Sequence, residues 1–424
     1  MLKICVRQNP QKQDCRIRKK AIKVLLNKID YEIALKICRH LINDQESAVR
    51  SSFIKQVSRL LPSQYAKNKA VYDSLCSQPL DKDYFCVRKL QFELMTTRLG
   101  YLDSSEVKQV ANDLVVMLAT EMRAMCKDMR VFSSDMLVKI TQFVPSTAIQ
   151  MMQKQSYLQP APTTTDSTSK PEQLDSVVTG ILLMMLEDDS MAVRLAGIRA
   201  MSCYGQACEE IRPRCLTLLI DMLNDEINDV RIGALHGILG FNKVLTLNDY
   251  EVDTVLFNLN EDNPRLREEI YNFFAATTVS SGSLFQKIID KLFSNLVKFE
   301  HQGETEKIFS LCHKLGQTHS RLVSSLYLKM LNIDKRFLAK EPDWTDSVYI
   351  AKMILIYSAA QTQSTQRPLL EDAPTFFSKH LNYLRDKYPC YFAKPQTEMV
   401  DAAQSPLLAA QAKMLARCAQ LFSS

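Results

Sequence analysis

The chain is 424 residues long, 46% apolar and 24% charged, an ordinary globular composition with no uninterrupted apolar span of the roughly 18 residues a membrane helix needs. Ten glycines, and no Gly-x-Gly-x-x-Gly or Gly-x-x-x-x-Gly-Lys run, exclude a Gly-rich phosphate loop. The net charge of +6 is slight and, over the chain as a whole, too evenly spread to mark a nucleic-acid footprint.

The opening Met1-Leu-Lys-Ile-Cys-Val-Arg7 is too short in its apolar part for a secretory signal. Asp14-Cys-Arg-Ile17-Arg18 then introduces an acidic residue followed by an aliphatic-Arg pair. Its basic run, Arg16-Ile-Arg18-Lys19-Lys20 with Lys23, reads as a nuclear-import signal, a phosphate-binding patch or, the favoured reading, a solvated helix face. The same phrase returns at Asp44 with Val49-Arg50, at Asp81 with Val87-Arg88, and in degenerate form as Cys126-Lys-Asp-Met129-Arg130. It is clearest in Asp188 with Val193-Arg194, Asp225 with Val230-Arg231 and Glu261 with Leu266-Arg267, whose arginines lie 37 and 36 residues apart. An apolar residue precedes each of these three arginines by eight positions (Leu186, Leu223, Leu259), and apolar residues follow at helical spacing (Ile198 and Met201, Ala234 and Ile238, Ile270 and Phe274). Each unit therefore reads as two amphipathic helices joined by an acidic turn. The acids are expected to cap the second helix and favour its positive dipole end, and Pro264 suits a first turn.

Units of this length with a Val-Arg pair opening the second helix have the form of HEAT or armadillo repeats, so the predicted fold is all-α, an α-solenoid of helix pairs stacked in a curved array. The repeat-signature residues are Val49, Arg50, Val87, Arg88, Arg130, Val193, Arg194, Val230, Arg231, Leu266 and Arg267. The aliphatics are predicted to be buried and the arginines to keep exposed heads near acids of adjacent turns. Arg18 has Pro10 at its minus-eight position, so the chain begins inside a repeat: either it is cut short or the first helix has one uncovered flank. The 64-residue gap between Arg130 and Arg194 contains Ser156 to Gln173, rich in Pro, Ser and Thr, which reads as a disordered insertion. The expected organisation is N-terminal repeats over 1–155, the insertion over 156–173, central repeats over 174–300 and a C-terminal helical region over 301–424.

Beyond Phe274 the signature fades while helical spacing continues over Leu284 to Phe299, Glu304 to Leu315, Leu322 to Leu331, Val348 to Ala360 and Lys379 to Lys387, with a last amphipathic stretch from about Leu407 to Leu421. The loop Asp334 to Asp346 holds the single tryptophan, Trp344, either a fold-back contact, the favoured reading, or a partner-binding anchor. The 12 cysteines form no Cys-x-x-Cys pair. Cys38, Cys86, Cys215 and Cys312 fall on apolar faces, which suits a reducing, intracellular compartment. No zinc site is expected from Cys203, Cys208 and Cys215. The six histidines show no spacing that converges with acids or thiols. Cys312 and His313 diverge by about 100° on a helix, and His236 reads as a helix histidine. No catalytic residue, cofactor or metal is expected.

From Asp188 onward the text also resembles a particular family. Leu219-Ile-Asp-Met-Leu-Asn-Asp-Glu-Ile-Asn-Asp-Val-Arg231, Leu247-Asn-Asp-Tyr-Glu-Val-Asp-Thr-Val-Leu-Phe257, Glu341-Pro-Asp-Trp-Thr-Asp-Ser-Val-Tyr-Ile-Ala-Lys-Met-Ile-Leu-Ile-Tyr-Ser-Ala-Ala360 and Tyr383-Leu-Arg-Asp386 are similar to the middle of the Integrator complex subunit 4 family. The resemblance implies a non-catalytic nuclear HEAT scaffold with other Integrator subunits as partners. These include the endonuclease pair, subunits 9 and 11, which act in small nuclear RNA 3′-end processing and transcription termination. Family members are about twice as long, and the region expected to grip the endonuclease pair lies beyond this chain. No membrane contact is expected, and direct nucleic-acid binding should be weak or indirect. Two alternatives stay open: an RNA-reading α-solenoid, or a general HEAT adaptor of the phosphatase or transport type. The first needs polar or stacking residues at one position per repeat, whereas four residues after the arginines stand Ile198, Leu235 and Tyr271.

Overall fold

The computed structural model describes residues 12–28, 32, 33, 36, 39–143, 147–153, 176–241, 245–299, 303–333, 341–362 and 376–392. The expected insertion 156–173 and the last predicted helix, 407–421, lie outside the described residues. The protein is an all-α solenoid of HEAT-type helix pairs. It divides into two compact units, Met1–Asn242 and Lys243–Ser424.

In the first unit, α1 (Lys12–Lys28), α2 (Ser47–Cys76), α3 (Phe85–Leu99), α4 (Ser104–Glu121), α5 (Lys127–Ile140), α6 (Thr147–Met151), α7 (Ile181–Leu186), α8 (Met191–Ala207), α9 (Arg212–Asp221) and α10 (Asn228–Leu239) follow in order. The signature-bearing helices form one row in which α1, α2, α3, α5, α8 and α10 pack successively. The alternate helices α4, α7 and α9 each cover the signature helix that follows. Val49, Val87, Met129, Val193 and Val230 are buried along this row, because the position before each arginine faces the covering helix. The exception is Ile17, which is exposed.

Helix α2 merges two predicted helices. Pro62 lies inside it, and Asn68 leaves helical geometry at φ −128° and ψ 23°. A proline removes one helical N–H and crowds the carbonyl four residues back. The bend brings Tyr72 within hydrogen-bond reach of the Val57 carbonyl, at 3.3 Å. The residues after the bend therefore serve as the covering helix of the next repeat.

In the second unit, α11 (Asp249–Asn258), α12 (Pro264–Ala276), α13 (Gly282–Lys298), α14 (Thr305–Thr318), α15 (Ser320–Met330), α16 (Ser347–Thr362), α17 (Phe376–Lys387) and α18 (Pro389–Phe392) continue the scheme, with α12, α14 and α16 forming the inner row. Helix α16 buries Tyr349, Ile350, Met353, Ile354, Leu355 and Ile356 among others, so it is apolar nearly all round and enclosed by α13, α14 and α15. Gly316 of α14 faces its backbone: a Cβ there would collide with the Leu355 carbonyl and lie 2.8 Å from Ser358 Cβ.

One feature departs from the all-helix expectation. Two loops pair as short parallel strands, β1 (Thr246–Leu247) and β2 (Thr278–Val279), extended by a bond from the Thr278 N–H to the Leu245 carbonyl at 2.8 Å. Consecutive repeats bring equivalent loops side by side, and extended segments so placed satisfy their backbone groups on each other.

Candidate functional site: the inter-repeat ladder and the turn edge

In the first unit each of Arg50, Arg88, Arg130 and Arg194 is held twice. Its Nη1 donates to carbonyls of its own turn: Arg50 to Asp44 and Gln45, Arg88 to Asp81 and Lys82, Arg130 to Ala124 and Met125, Arg194 to Asp188 and Asp189. Its guanidinium also ion-pairs with the acid of the next repeat. The pairs are Arg18–Asp44 at 3.1 Å, Arg50–Asp81 at 2.6 Å, Arg88–Glu121 at 3.8 Å, Arg130–Asp188 at 2.8 Å and Arg194–Asp225 at 2.8 Å. The planar guanidinium fork allows both sets at once. A turn that receives one arginine through its carboxylate thus receives the next through its carbonyl, and the rungs connect into a ladder along the intra-repeat turns.

Two expectations are corrected here. The arginine heads are not exposed: Arg18, Arg50, Arg194 and Arg267 are buried, and Arg88, Arg130 and Arg231 are half-buried. Burial is tolerable because the guanidinium groups of Arg18, Arg50, Arg88, Arg130 and Arg194 each lie against a carboxylate and donate through Nη atoms, while their Nε makes its ion pair without a hydrogen bond. Nor do the turn acids cap the helices. Asp44, Asp188 and Asp225 accept instead from the N–H two residues on, in Glu46, Ser190 and Ile227, at 2.9, 2.9 and 2.8 Å, which closes the turn. Among the signature helices with a described cap, Asn263 does cap its helix, accepting from Arg265 and Leu266, ahead of Pro264 in the first turn.

The second unit contains the most enclosed rung. Arg267 has no exposure. It donates through Nε to Glu304 Oε1 at 2.7 Å and through Nη1 to the Glu261 carbonyl at 2.6 Å, and its guanidinium lies 3.8 Å from the centre of the Phe299 ring. The Tyr271 hydroxyl donates to Glu304 Oε2 at 2.8 Å. Burial, reinforced by that carboxylate, pushes the Tyr271 phenol far above its ordinary value. Reading the sequence missed Glu304 because no aliphatic-Arg pair follows it: six residues on, where an arginine would continue the pattern, stands Ser310. Nor does the spacing announce it, since Glu304 stands 43 residues after Glu261, against 37 and 36 between the preceding turn acids.

His319, His313 and the buried thiols serve packing. His319 stacks on Phe285 at 5.1 Å, accepts the Val279 N–H on Nε2 at 3.1 Å and meets Thr318 Oγ1 at 2.8 Å through Nδ1. Burial holds its pKa below the ordinary histidine value. His313 Nδ1 is 2.7 Å from Ser358 Oγ, but that hydroxyl is buried and donates to the Ile354 carbonyl at 2.7 Å, which withholds it as a nucleophile. Burial pushes Cys76 up to about 11 and Cys215 and Cys312 up to about 12, so these three stay thiols at neutral pH. Cys86, expected on an apolar face, is exposed. No group of His, Cys, Asp and Glu able to hold a metal occurs among the described residues. Nor is any described helix long and apolar enough to cross a membrane.

Outside the ladder the turns expose single large apolar side chains among charged ones. Where the turns of the first unit stack, Tyr84, Met125 and Met191 are exposed, Met125 almost completely at 99%. Tyr84 lies against the Arg50 guanidinium, 5.1 Å away, so the exposed ring is anchored to a rung. In the second unit Tyr250 and Phe257 of α11 are exposed. Trp344 packs edge-to-face on Tyr383 at 4.4 Å, a fold-back contact, and is 42% exposed. The positions four residues after the arginines, Ile198, Leu235 and Tyr271, are buried, so no base-reading row runs through them.

No protein-family model matches the chain. Against individual proteins, it is 31% identical over 254 residues to Integrator complex subunit 4 of Homo sapiens, 59% of this chain and 26% of the human protein. It is 33% identical over 213 residues to that of Xenopus laevis, 50% of this chain and 22% of the other. The chain is a relative of Integrator complex subunit 4. It spans about a quarter of the length of these relatives. Among solved structures importin beta gives a TM-score of 0.50 at 12% identity, covering 94% of this chain and 55% of that one, a likeness of fold alone.

Proposed function

We propose that the chain is a non-catalytic HEAT-repeat scaffold of a nuclear Integrator-type complex, supporting small nuclear RNA 3′-end processing and transcription termination. The observation that carries this reading is the similarity to Integrator complex subunit 4 in both vertebrate sequences. The geometry agrees with it. Guanidinium groups are spent internally, and three successive turns expose large apolar residues, Tyr84, Met125 and Met191, beside charged ones such as Lys82, Asp83, Asp128 and Asp189. Protein interfaces draw their core from aromatic residues and methionine. The partners are other Integrator subunits, subunits 9 and 11 among them.

The test is affinity purification of the tagged full chain from nuclear extract, with co-purifying proteins identified by mass spectrometry. Integrator subunits should be recovered, and Tyr84→Ala with Met125→Ser and Met191→Ser should reduce that recovery while leaving the helical signal intact. Recovery of a phosphatase or transport complex with no Integrator subunit would replace this reading by that of a general HEAT adaptor.

A further inference from the structure

The chain's positive charge is concentrated where whole-chain figures hide it. Residues 1–70 contain 16 lysines and arginines against 5 acids, a surplus of eleven compared with six for the entire chain, so the remainder is net negative. The even spread expected from the overall balance does not hold.

The structure gathers five of these cations. On α1, Arg16, Lys20 and Lys23 are exposed at spacings of four and three, hence on one face, opposite buried Ala21, Ile22 and Leu25. On α2, Lys55 and Arg59 are exposed opposite buried Phe53, Ile54, Val57 and Leu61. The two helices pack together, and Arg18 and Arg50 occupy equivalent places in the ladder. Lys23 and Lys55, each five residues after its arginine, are therefore neighbours across an interhelical distance of about 8–10 Å. The α1 cations extend about 10 Å along the axis.

None of the five is held by a carboxylate among the described residues, whereas nearby Lys36 pairs with Glu32 and Lys69 with Glu106 and Asp103. At the same place after their arginines, α3 and α5 carry Glu93 and Asp135, and Asp135 pairs with Arg199 at 2.8 Å. The basic face therefore ends after two repeats.

We propose that this face of α1 and α2 holds the phosphodiester backbone of single-stranded RNA. Among the described residues no exposed aromatic or large aliphatic side chain interleaves the cations, and Ile17, exposed on the same helix, lies about 100° round it from Arg16. The face thus lacks the apolar core a folded protein partner needs and the stacking platform that reads bases, leaving charge as the recognising chemistry. Binding is sequence-independent and driven by counterion release. That the polyanion is RNA rests on the Integrator reading; that it is a phosphate chain rests on the charge.

The test is fluorescence anisotropy of a labelled uridine oligonucleotide with the full chain across a salt series. Five contacts to a single strand give a slope of log affinity against log salt near about −3.5, or roughly 100-fold weakening between 50 and 200 mM. Lys23→Gln with Lys55→Gln, both exposed and harmless to packing, should make the slope shallower by about 1.4. Asp135→Asn with Arg199→Gln, which removes a neutral pair, should leave it unchanged. An unaltered slope in the lysine variant overturns the proposal, as does tighter binding of an acidic peptide of equal charge. Integrator recovery from nuclease-treated extract is a separate reading: its absence for the wild-type chain sinks the scaffold assignment, while its retention in the lysine variant shows that the two surfaces act independently.

Discussion

Arg267 and Arg88 occupy equivalent rungs in different surroundings. Arg267 is fully enclosed with Glu304 and Tyr271, whereas Arg88 is half-buried and its approach to Glu121 is 3.8 Å. Arg267→Ala leaves a buried carboxylate without its counter-charge and should cost about 3–5 kcal/mol. Arg88→Ala, which loses a long ion pair and two bonds to turn carbonyls, should cost less, about 1–2 kcal/mol. Urea denaturation of the two variants checks this through midpoints at unchanged slope, and the reverse order would contradict the enclosed rung. His319 makes a second residue-scale prediction. Its folded-state pKa is lowered by burial, so below the ordinary histidine value of 6.5 the unfolded chain takes up a proton the folded chain refuses. Stability is therefore full above that value and is lost as pH falls from it toward the lowered folded value. His313, also lowered by burial, acts in the same direction. Unfolding measured between about pH 5 and 7.5 should show stability rising with pH, with a smaller rise in His319→Gln; an identical rise in that variant would remove His319 from the account.

At the level of elements, the contact between α14 and α16 depends on a missing side chain. Gly316 lies directly against the α16 backbone, so Gly316→Val must separate the two helices or distort them. Overpacking of this kind costs about 1–3 kcal/mol, and the same substitution at Gly282, where a Cβ meets nothing within 4 Å, should cost less. Thermal unfolding of the pair of variants decides it. The periodicity of apolar residues announced most helices, because burying one face of a helix requires it. It did not announce that Pro62 and Asn68 would carry one continuous helix through a bend, since the bend exists only because both halves have surfaces to pack on. Nor did it announce the β1–β2 pair, which arises between loops 32 residues apart.

On the scale of the molecule, a repeat array transmits damage mainly between neighbours. Val230 is fully buried in the first unit, and Val230→Asp places an unpaired carboxylate there at a cost of several kcal/mol. Hydrogen exchange should then accelerate across α8, α9 and α10, while α14 and α16 of the second unit keep their protection. Uniform loss of protection through both units would show that the chain unfolds as one cooperative body.

The amino-acid order by itself determined the helical class, the repeat period and the aliphatic positions that become core, because these follow from local geometry and from which side chains leave water. Only the tertiary structure decided what the arginines do. Valine before arginine looks the same whether the guanidinium meets solvent or a carboxylate, and the carboxylate that decides comes from the next repeat, 26 residues on for Arg18 and 31 for Arg194. Burial of a charge depends on donors and acceptors converging from separate repeats, and convergence is a property of the stacked helices rather than of any one of them.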